Sequence, residues 1–162
     1  MEIWDAYDAN WNRIEGRTLV RGRPIPEGMY HLVADVLVRH ADGSYLLMRR
    51  DPGKKYGGMW EATAGGAALK GETPSECAER ELCEETGITA SGLLEVGRIV
   101  SPEHRTLFAE FLCETDWKKD RVTLQKGETV DYRWVSREEL LRMDRRTLLT
   151  ERMQKFIAEL RR

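Results

Sequence analysis

The sequence lacks the features that would point to membranes, secretion or polyanionic partners. No stretch of its 162 residues approaches the roughly 20 consecutive apolar residues that a membrane-spanning helix needs, and no charged region followed by an apolar run opens the chain. The formal net charge is −2, which gives no general electrostatic reason to expect nucleic acid. We therefore expect a cytoplasmic protein with no membrane contact and no clear nucleic-acid binding.

Cysteine is also scarce, and its spacing excludes the usual cysteine-based sites. The three cysteines, Cys77, Cys83 and Cys113, are odd in number and form no CxxC pair, which is typical of reduced packing residues. Apolar residues make up 41% of the chain, enough for one domain with a sizeable core. The sequence thus predicts a single domain over residues 1–162, in which residues 1–28 form an N-terminal hairpin and connector.

One stretch, residues 66–88, has a spacing that dictates chemistry. Thr73 and Glu76 have the separation of an N-terminal capping box, and a proline occupies the first helical position between them. Gly87 can adopt the left-handed conformation that ends a helix. The pattern predicts a helix over residues 74–86.

Three glutamates share one patch of this predicted helix. Glu84 and Glu85 follow Glu81 by three and four residues, which places all three on the same side of a helix. Their carboxylates therefore lie close together and repel one another. Solvent offsets that repulsion if the patch is exposed, which is common for acidic helix faces. Bound cations offset it if the patch lines a cleft. Mg²⁺ suits the second case, because it takes carboxylate oxygens, keeps several waters and shares its remaining positions with substrate phosphates.

The same stretch resembles the Nudix box, GX5EX7REUXEEXGU, in which U is a bulky aliphatic residue. Every fixed position of the box is matched, by Gly66, Glu72, Arg80, Glu81, Leu82, Glu84, Glu85, Gly87 and Ile88. The chain is therefore similar to the Nudix hydrolases, with the box at residues 66–88 carrying the resemblance.

This resemblance implies a metal site. Glu81 and Glu85 match the principal metal-ligand positions of the family, Glu84 matches an auxiliary ligand or base, and the carbonyl of Gly66 matches a backbone ligand. The implied cofactor is Mg²⁺, with Mn²⁺ as a substitute. The implied reaction is hydrolysis of a pyrophosphate bond in a small-molecule diphosphate, either a nucleotide or a nucleoside diphosphate linked to another moiety.

The resemblance also assigns supporting roles. Arg80 matches the arginine that orients a catalytic glutamate through charge-assisted hydrogen bonds, and Glu72 is its supporting acid. Hydrolysis needs a base to accept the proton of water, and the family does not fix which carboxylate this is. For a further catalytic acid, Glu128 is the first candidate, Asp131 the second and Glu103 the weakest.

The loop before the box is the predicted substrate-binding segment. It contains Arg50, Lys54 and Lys55 together with several glycines, so its backbone can approach phosphates while its cations neutralise charge. An ordinary solvated basic loop is the alternative. Trp60 follows this loop and, like Tyr56 and Phe108, has an aromatic ring that either stacks on a nucleobase or packs in the core. We list Trp60 among the substrate-binding candidates.

The first part of the chain suggests an alternative function. The segments WDAYD and PIPEGMYH look similar to the Nudix branch related to isopentenyl-diphosphate isomerase, and His31 falls where that isomerase has a metal-binding histidine. However, Gly65 and Ala67 stand where the isomerase has a catalytic cysteine and a histidine. Without the thiol its proton transfer has no acid–base partner. An isomerase-like protein and a non-catalytic nucleotide-binding module remain the alternatives to a hydrolase.

The strand and helix patterns predict the α/β (α+β) class. Alternating and β-branched runs before and after the box indicate a mixed β-sheet between helices, which is the α/β/α sandwich that the Nudix resemblance also implies. A second capping box at Ser136 and an amphipathic run over 151–162 predict two further helices. The aromatic residues of the N-terminal hairpin serve equally well in core packing or in a homodimer contact.

Overall fold

The computed structural model describes residues 1–144, 146, 147 and 158. The N-terminal hairpin is present, with β1 (Ile3–Tyr7) antiparallel to β2 (Arg13–Val20). Its inner face buries Trp4, Ala6 and Leu19 in a small core of their own. The hairpin therefore has apolar packing of its own rather than lying loosely on the surface.

The main sheet has seven strands and carries the rest of the fold. They are β3 (His31–His40), β4 (Tyr45–Arg50), β5 (Trp60–Ala62), β6 (Ala64–Ala67), β7 (Leu94–Ser101), β8 (Thr106–Thr115) and β9 (Thr129–Val135). The central order is β5-β4-β3-β8-β7, while β6 pairs with β3 and β9 with β4. Since β3 and β8 run parallel and the other pairs are antiparallel, the sheet is mixed, as predicted.

Helices cover both faces of this sheet. On one face, Cys77, Ala78 and Leu82 of α1 (Pro74–Thr86) pack into the larger core. On the other, Leu140 of α2 (Arg137–Arg142) packs into a second core. Both helices begin with the predicted capping boxes, so the sandwich class and the helix over residues 74–86 are confirmed. The predicted helix over 151–162 lies outside the described residues, except for residue 158.

The cysteines and the aromatic residues of the hairpin can also be compared with the sequence expectations. All three cysteines are free, as predicted. The hairpin aromatics pack within the chain: Trp4 is buried, and Trp11 lies under the guanidinium of Arg98, 4.6 Å from its ring centre. Within the described residues, no helix is long and apolar enough to cross a membrane. A homodimer and a cytoplasmic location stay predictions.

The segment that leads into the box consists of two strands, because β5 pairs with β4 whereas β6 pairs with β3. Thr63 lies between them and is completely buried at the point where the chain passes from one partner to the other. Its hydroxyl accepts a hydrogen bond from Val38 N (2.9 Å) and donates one to Leu46 O (2.7 Å). One side chain thus satisfies two backbone groups where the strand pairing changes partner.

Replacing Thr63 should therefore destabilise the fold. Thr63→Val keeps the shape but leaves the Val38 N–H and Leu46 C=O without that partner, so we expect a loss of about 2–4 kcal/mol in the free energy of unfolding, measured with denaturant. The matched control is Thr129→Val, because the Thr129 hydroxyl is buried with no hydrogen-bond partner among the described residues. The control should be neutral or stabilising. Equal effects of the two variants would contradict this role of Thr63.

Candidate active site

The start and end of α1 fix the positions of the acidic residues. The Thr73 hydroxyl accepts a hydrogen bond from Glu76 N (3.2 Å), and the Glu76 carboxylate accepts one from Thr73 N (2.8 Å). At the other end, Gly87 has φ 77° and closes the helix with a bond to Cys83 O (2.9 Å). These caps, with Leu82 buried in the core, set which face of the helix presents its carboxylates to the cleft.

The three box acids lie in one cleft but in different surroundings. Glu85 is only 8% exposed and Glu81 is largely buried, whereas the Glu84 side chain is 48% exposed. Burial in a low-dielectric setting disfavours the charged form of a carboxylate, while an exposed one is stabilised by water. Glu81 and Glu85 are therefore the two acids whose charge most needs an external counterion.

Arg80 holds the acidic cluster in place. Its guanidinium donates to both carboxylate oxygens of Glu72 (2.6 and 2.9 Å), to Glu81 Oε1 (2.7 Å) and to Glu84 Oε2 (3.3 Å). It also bonds Ala67 O (3.2 Å), so it ties α1 to the box loop. The hydrogen bond that Arg80 donates to Glu72 is the largest cause of its raised pKa, so this arginine stays charged. The geometry suits the orienting role that the box implied for Arg80 and Glu72.

Glu85 has the most perturbed carboxyl group of the cleft. Burial raises its pKa to about 8, and repulsion from Glu61 and Glu81 adds to the shift. Burial also raises the pKa values of Glu61 and Glu81. Keeping all three of these partly desolvated carboxylates charged costs free energy. In the absence of a metal ion, at least one of them therefore tends to hold a proton.

Glu61 is the site residue that the sequence analysis missed. It lies on β5, directly before the box, and its Oε2 accepts a hydrogen bond from Arg50 Nη1 (2.9 Å). An acidic residue within a short strand is a weak signal on its own. Its proximity to Glu85 follows from strand pairing and helix packing, which no sequence spacing reveals.

The residues present fit a divalent cation. A Cβ at Gly66 would lie 2.3 Å from Glu81 Oε1, so only glycine leaves room for that carboxylate. The Gly66 carbonyl accepts a hydrogen bond from the Cys77 thiol of α1 (3.4 Å), so this carbonyl lies against the helix that carries Glu81. Within the described residues, no three His, Cys, Asp or Glu side chains form a metal site by themselves. A metal held here would thus take its remaining ligands from the backbone, water and substrate, as Mg²⁺ commonly does.

The cleft around these acids has a volume of about 440 Å³. The box contributes Arg80, Glu81, Glu84 and Glu85, the hairpin contributes Glu2, Trp4 and Arg21, and loops contribute Lys54, Gln125 and Glu128. Lys54 and Glu128 form an ion pair across it. Acidic groups outnumber basic ones among these lining residues, so the cleft favours cations.

A second cavity, of about 690 Å³, adjoins the first. The two share Val33, Gly65 and Gly66. The second is lined by the aromatic rings of Tyr56 and Phe108, with Ile99 as a further apolar wall and with Asp35, Arg50, Glu61 and Glu103 as its charged groups. An apolar cavity with a few polar groups is typical of a binding site for an organic ligand.

The remaining predicted residues are placed as follows. Lys55 packs its ammonium 5.0 Å from the Tyr56 ring centre, and Trp60 lies under the Arg133 guanidinium at 4.5 Å. The described residues that line the two cavities do not include Lys55, Trp60 or Asp131. Substrate contact by Lys55 and Trp60 stays a prediction without support from this geometry.

His31 lines the acidic cleft but is held by other contacts. Its ring stacks on Trp4 with centres 4.5 Å apart, and Nε2 lies 2.8 Å from the Thr106 hydroxyl. Because that hydroxyl donates to His104 O (2.9 Å), it accepts from Nε2. Burial lowers the His31 pKa, so the ring is neutral at pH 7.

The raised pKa of Glu85 predicts how the metal-free protein responds to pH. The folded-state pKa lies above the ordinary value of 4.5, so the stability contributed by protonated Glu85 is complete below about pH 4.5 and is lost as the pH rises through about 8. Metal-free Glu85→Gln should match wild type at pH 5 and exceed its free energy of unfolding by about 1–3 kcal/mol at pH 9. Denaturant titrations at the two pH values measure this.

The control for that experiment is Glu27→Gln, an exposed acid in the connector. This variant should follow wild type at both pH values. A Glu85→Gln protein that is no more stable than wild type at pH 9 would contradict the buried, repelled state of this carboxyl.

The chain is similar in sequence to known Nudix proteins. The NUDIX domain family model matches residues 29–160. An uncharacterised Nudix hydrolase of Listeria monocytogenes is 36% identical over 142 residues, which cover 86% of this chain and 83% of the relative. A phosphatase NudJ of Shigella boydii is 33% identical over 108 residues, covering 65% of this chain and 68% of the relative.

A solved structure extends the comparison to the whole fold. The crystal structure of DR0079 from Deinococcus radiodurans superposes with a TM-score of 0.73 at 18% identity, covering 99% of this chain and 100% of that one. At this identity the likeness concerns the fold alone. These relatives do not confirm the isomerase-like branch. With the family model, the relatives and the complete box in agreement, the chain belongs to the Nudix hydrolase family.

Proposed function

We propose that this Nudix pyrophosphohydrolase uses Mg²⁺ to cleave a pyrophosphate bond in a nucleotide, or in a nucleoside diphosphate linked to another moiety. The observation that carries the proposal is the cluster of Glu61, Glu81 and Glu85, in which burial and mutual repulsion raise the pKa of Glu85 to about 8. Such a cluster costs stability in the apo protein. A divalent cation that joins the carboxylates to substrate phosphate offsets that cost.

Glu81 and Glu85, with the Gly66 carbonyl, would hold the cation. When bound, such an ion polarises phosphoryl oxygens and lowers the pKa of a bound water. Arg80 keeps Glu81 oriented through its 2.7 Å hydrogen bond. Glu84, the most exposed box acid, lies at the cleft surface, where its carboxylate would accept a proton from water.

The second cavity supports a substrate with an organic moiety. Gly65 and Gly66 join it to the acidic cleft, so a diphosphate at Glu81 and Glu85 would extend its organic group toward Tyr56 and Phe108. Both rings offer a surface on which a nucleobase stacks. A relative named as a phosphatase also supports a phosphate-bearing substrate.

The packing around Gly65 argues against isomerase chemistry. A Cβ at this position would lie 2.4 Å from Asp35 Oδ1 and 3.0 Å from Ala34 O. A cysteine here, as the isomerase needs, would require Asp35 and the backbone of β3 to shift. The hydrolase is therefore favoured over the isomerase, and a non-catalytic module is the alternative that an activity measurement separates.

Product identification tests the proposal directly. Purified protein with Mg²⁺ would be offered nucleoside triphosphates, nucleoside diphosphates, ADP-ribose, nucleotide sugars and isopentenyl diphosphate, and the products separated by chromatography. We expect cleavage of a pyrophosphate bond in at least one nucleotide class, abolished by a chelator and reduced at least about 100-fold in Glu85→Gln.

A control variant and the possible outcomes sharpen this result. Glu27→Gln, which removes an exposed acid far from the box in sequence, should keep wild-type rates. Turnover that survives chelation would remove the metal from the mechanism, and wild-type rates in Glu85→Gln would remove the box site. Isomerised isopentenyl diphosphate would support the isomerase, and no turnover of any compound would support the binding module.

The choice of the additional acid is testable separately. Glu128 lines the acidic cleft, whereas Glu103 lines the second cavity and Asp131 accepts a hydrogen bond from Tyr132 N (2.8 Å) on β9. Glu128→Gln should lower kcat by about 10²-fold or more, because a general acid or base contributes that much, while KM changes little. Asp131→Asn should keep wild-type values. The opposite ranking of the two variants would assign the role to Asp131.

A further inference from the structure

The N-terminal hairpin forms one wall of the acidic cleft, although the matched family model begins only at residue 29. Glu2, Trp4 and Arg21 line the cleft together with the box acids. Glu2, Trp4 and Arg21 are absent from the described residues that line the neighbouring cavity. The hairpin therefore contributes to the part of the site that surrounds the phosphates rather than to the part that surrounds the organic group.

The hairpin is fixed to the box itself. The backbone N–H of Lys70 donates to Ile3 O (2.9 Å), and that of Gly71 donates to Asp5 Oδ2 (2.8 Å). Ala67, just after the box glycine, packs against the small core of the hairpin. Because these contacts hold the loop between Gly66 and Glu72, the hairpin residues keep a defined position relative to the proposed metal ligands.

A chain of contacts orients Arg21 at the edge of the cleft. Its Nη1 donates to Glu2 Oε2 (3.0 Å), and the other oxygen of Glu2 accepts from Trp4 Nε1 (2.8 Å). Trp4 is in turn buried and stacked on His31. The carboxylate of Glu2 is thus positioned by a buried ring, and within the described part of the chain it is the one carboxylate that the Arg21 guanidinium contacts, through Nη1. Since a guanidinium has five N–H donors, the rest of the group can still bind an anion.

The other cations of the cleft are more fully engaged. Arg80 bonds Glu72, Glu81 and Glu84 and has a side chain only 24% exposed, while Lys54 is paired with Glu128 and is 30% exposed. The Arg21 side chain is 70% exposed. Of the basic residues that line this cleft in the described part of the chain, Arg21 is the one most available to an incoming ligand.

We propose that Arg21 is an anion-binding residue that contacts the phosphate beyond the metal-bound diphosphate, so that the substrate is of the triphosphate class. This inference rests on the proposed pyrophosphohydrolase function. A substrate that spans both cavities has its organic group near Phe108 and its diphosphate at Glu81 and Glu85. A third phosphate then extends along the acidic cleft, where the guanidinium of Arg21 neutralises its charge. A neutral sugar at that end would have no charge for Arg21 to neutralise.

Binding of non-hydrolysable phosphate chains tests this inference. The probes are methylenediphosphonate and the bis-methylene analogue of triphosphate, titrated calorimetrically into the wild-type protein with Mg²⁺. We expect the longer probe to bind about tenfold more tightly, the size of one charge-assisted contact. Arg21→Ala should remove that preference while leaving the affinity for the shorter probe unchanged, and Arg21→Lys should retain part of it.

Arg23→Ala is the matched control. Arg23 is an exposed arginine two residues further along, and its replacement removes the same charge without touching the cleft lining. It should keep the preference for the longer probe. Equal affinities of the two probes in wild type, or an unchanged preference in Arg21→Ala, would overturn the inference.

The same titrations separate this inference from the proposed function. If binding of both probes survives removal of Mg²⁺ and the Glu85→Gln change, the metal site itself is wrong. If the shorter probe depends on Mg²⁺ and Glu85 but Arg21→Ala has no effect, the hydrolase site stands and only the role of Arg21 fails.

Discussion

The repulsion among buried carboxylates at the end of α1 is the constraint on which the site depends. Glu81 and Glu85 belong to α1, whose apolar side packs into the larger core, whereas Glu61 belongs to β5, and the fold brings their charges close together. In water such groups would separate. Here the capped helix, the short strand and the hydrogen bonds of Arg80 keep them together, so the cluster is preorganised for a cation that joins it to phosphate.

The two glycines of β6 are required by close contacts with neighbouring carboxylates. Gly66 leaves the space that Glu81 occupies, and Gly65 leaves the space beside Asp35 on the other face. The two residues are also where the acidic cleft and the apolar cavity meet. The strand that carries them is held by Thr63, whose hydroxyl bridges two strands in the interior. Stability and the shape of the site are thus coupled at one short segment.

Much of this arrangement could be predicted from the sequence because local signals were strong. The caps at Thr73 and Gly87 and the spacing of the box each depend on neighbouring residues, and the helix that they predicted is confirmed. Glu61 and the hairpin residue Arg21 escaped prediction as site residues for the opposite reason. They reach the cleft through strand pairing and through the tether between Asp5 and Gly71, which join distant parts of the chain.

The sequence did not predict which aromatic rings line the cavity and which pack in a core. A tryptophan next to a basic loop suggested a stacking surface, but Trp60 faces Arg133 and the second core, while Tyr56 and Phe108 line the cavity. Residue type alone does not separate these environments, because a large ring stabilises a core and a binding site by the same burial. Only the direction of each strand and the turn that precedes it decides which ring faces the ligand.

A titration with Mn²⁺, followed by the electron paramagnetic resonance signal of the free ion, shows whether the buried carboxylates hold a divalent cation. We expect wild type to bind the ion and Glu81→Gln and Glu85→Gln each to weaken binding by about tenfold or more, because each removes a charge from the cluster. The exposed Glu84 should matter less. Undiminished Mn²⁺ binding in both Glu81→Gln and Glu85→Gln would show that these carboxylates do not hold the ion.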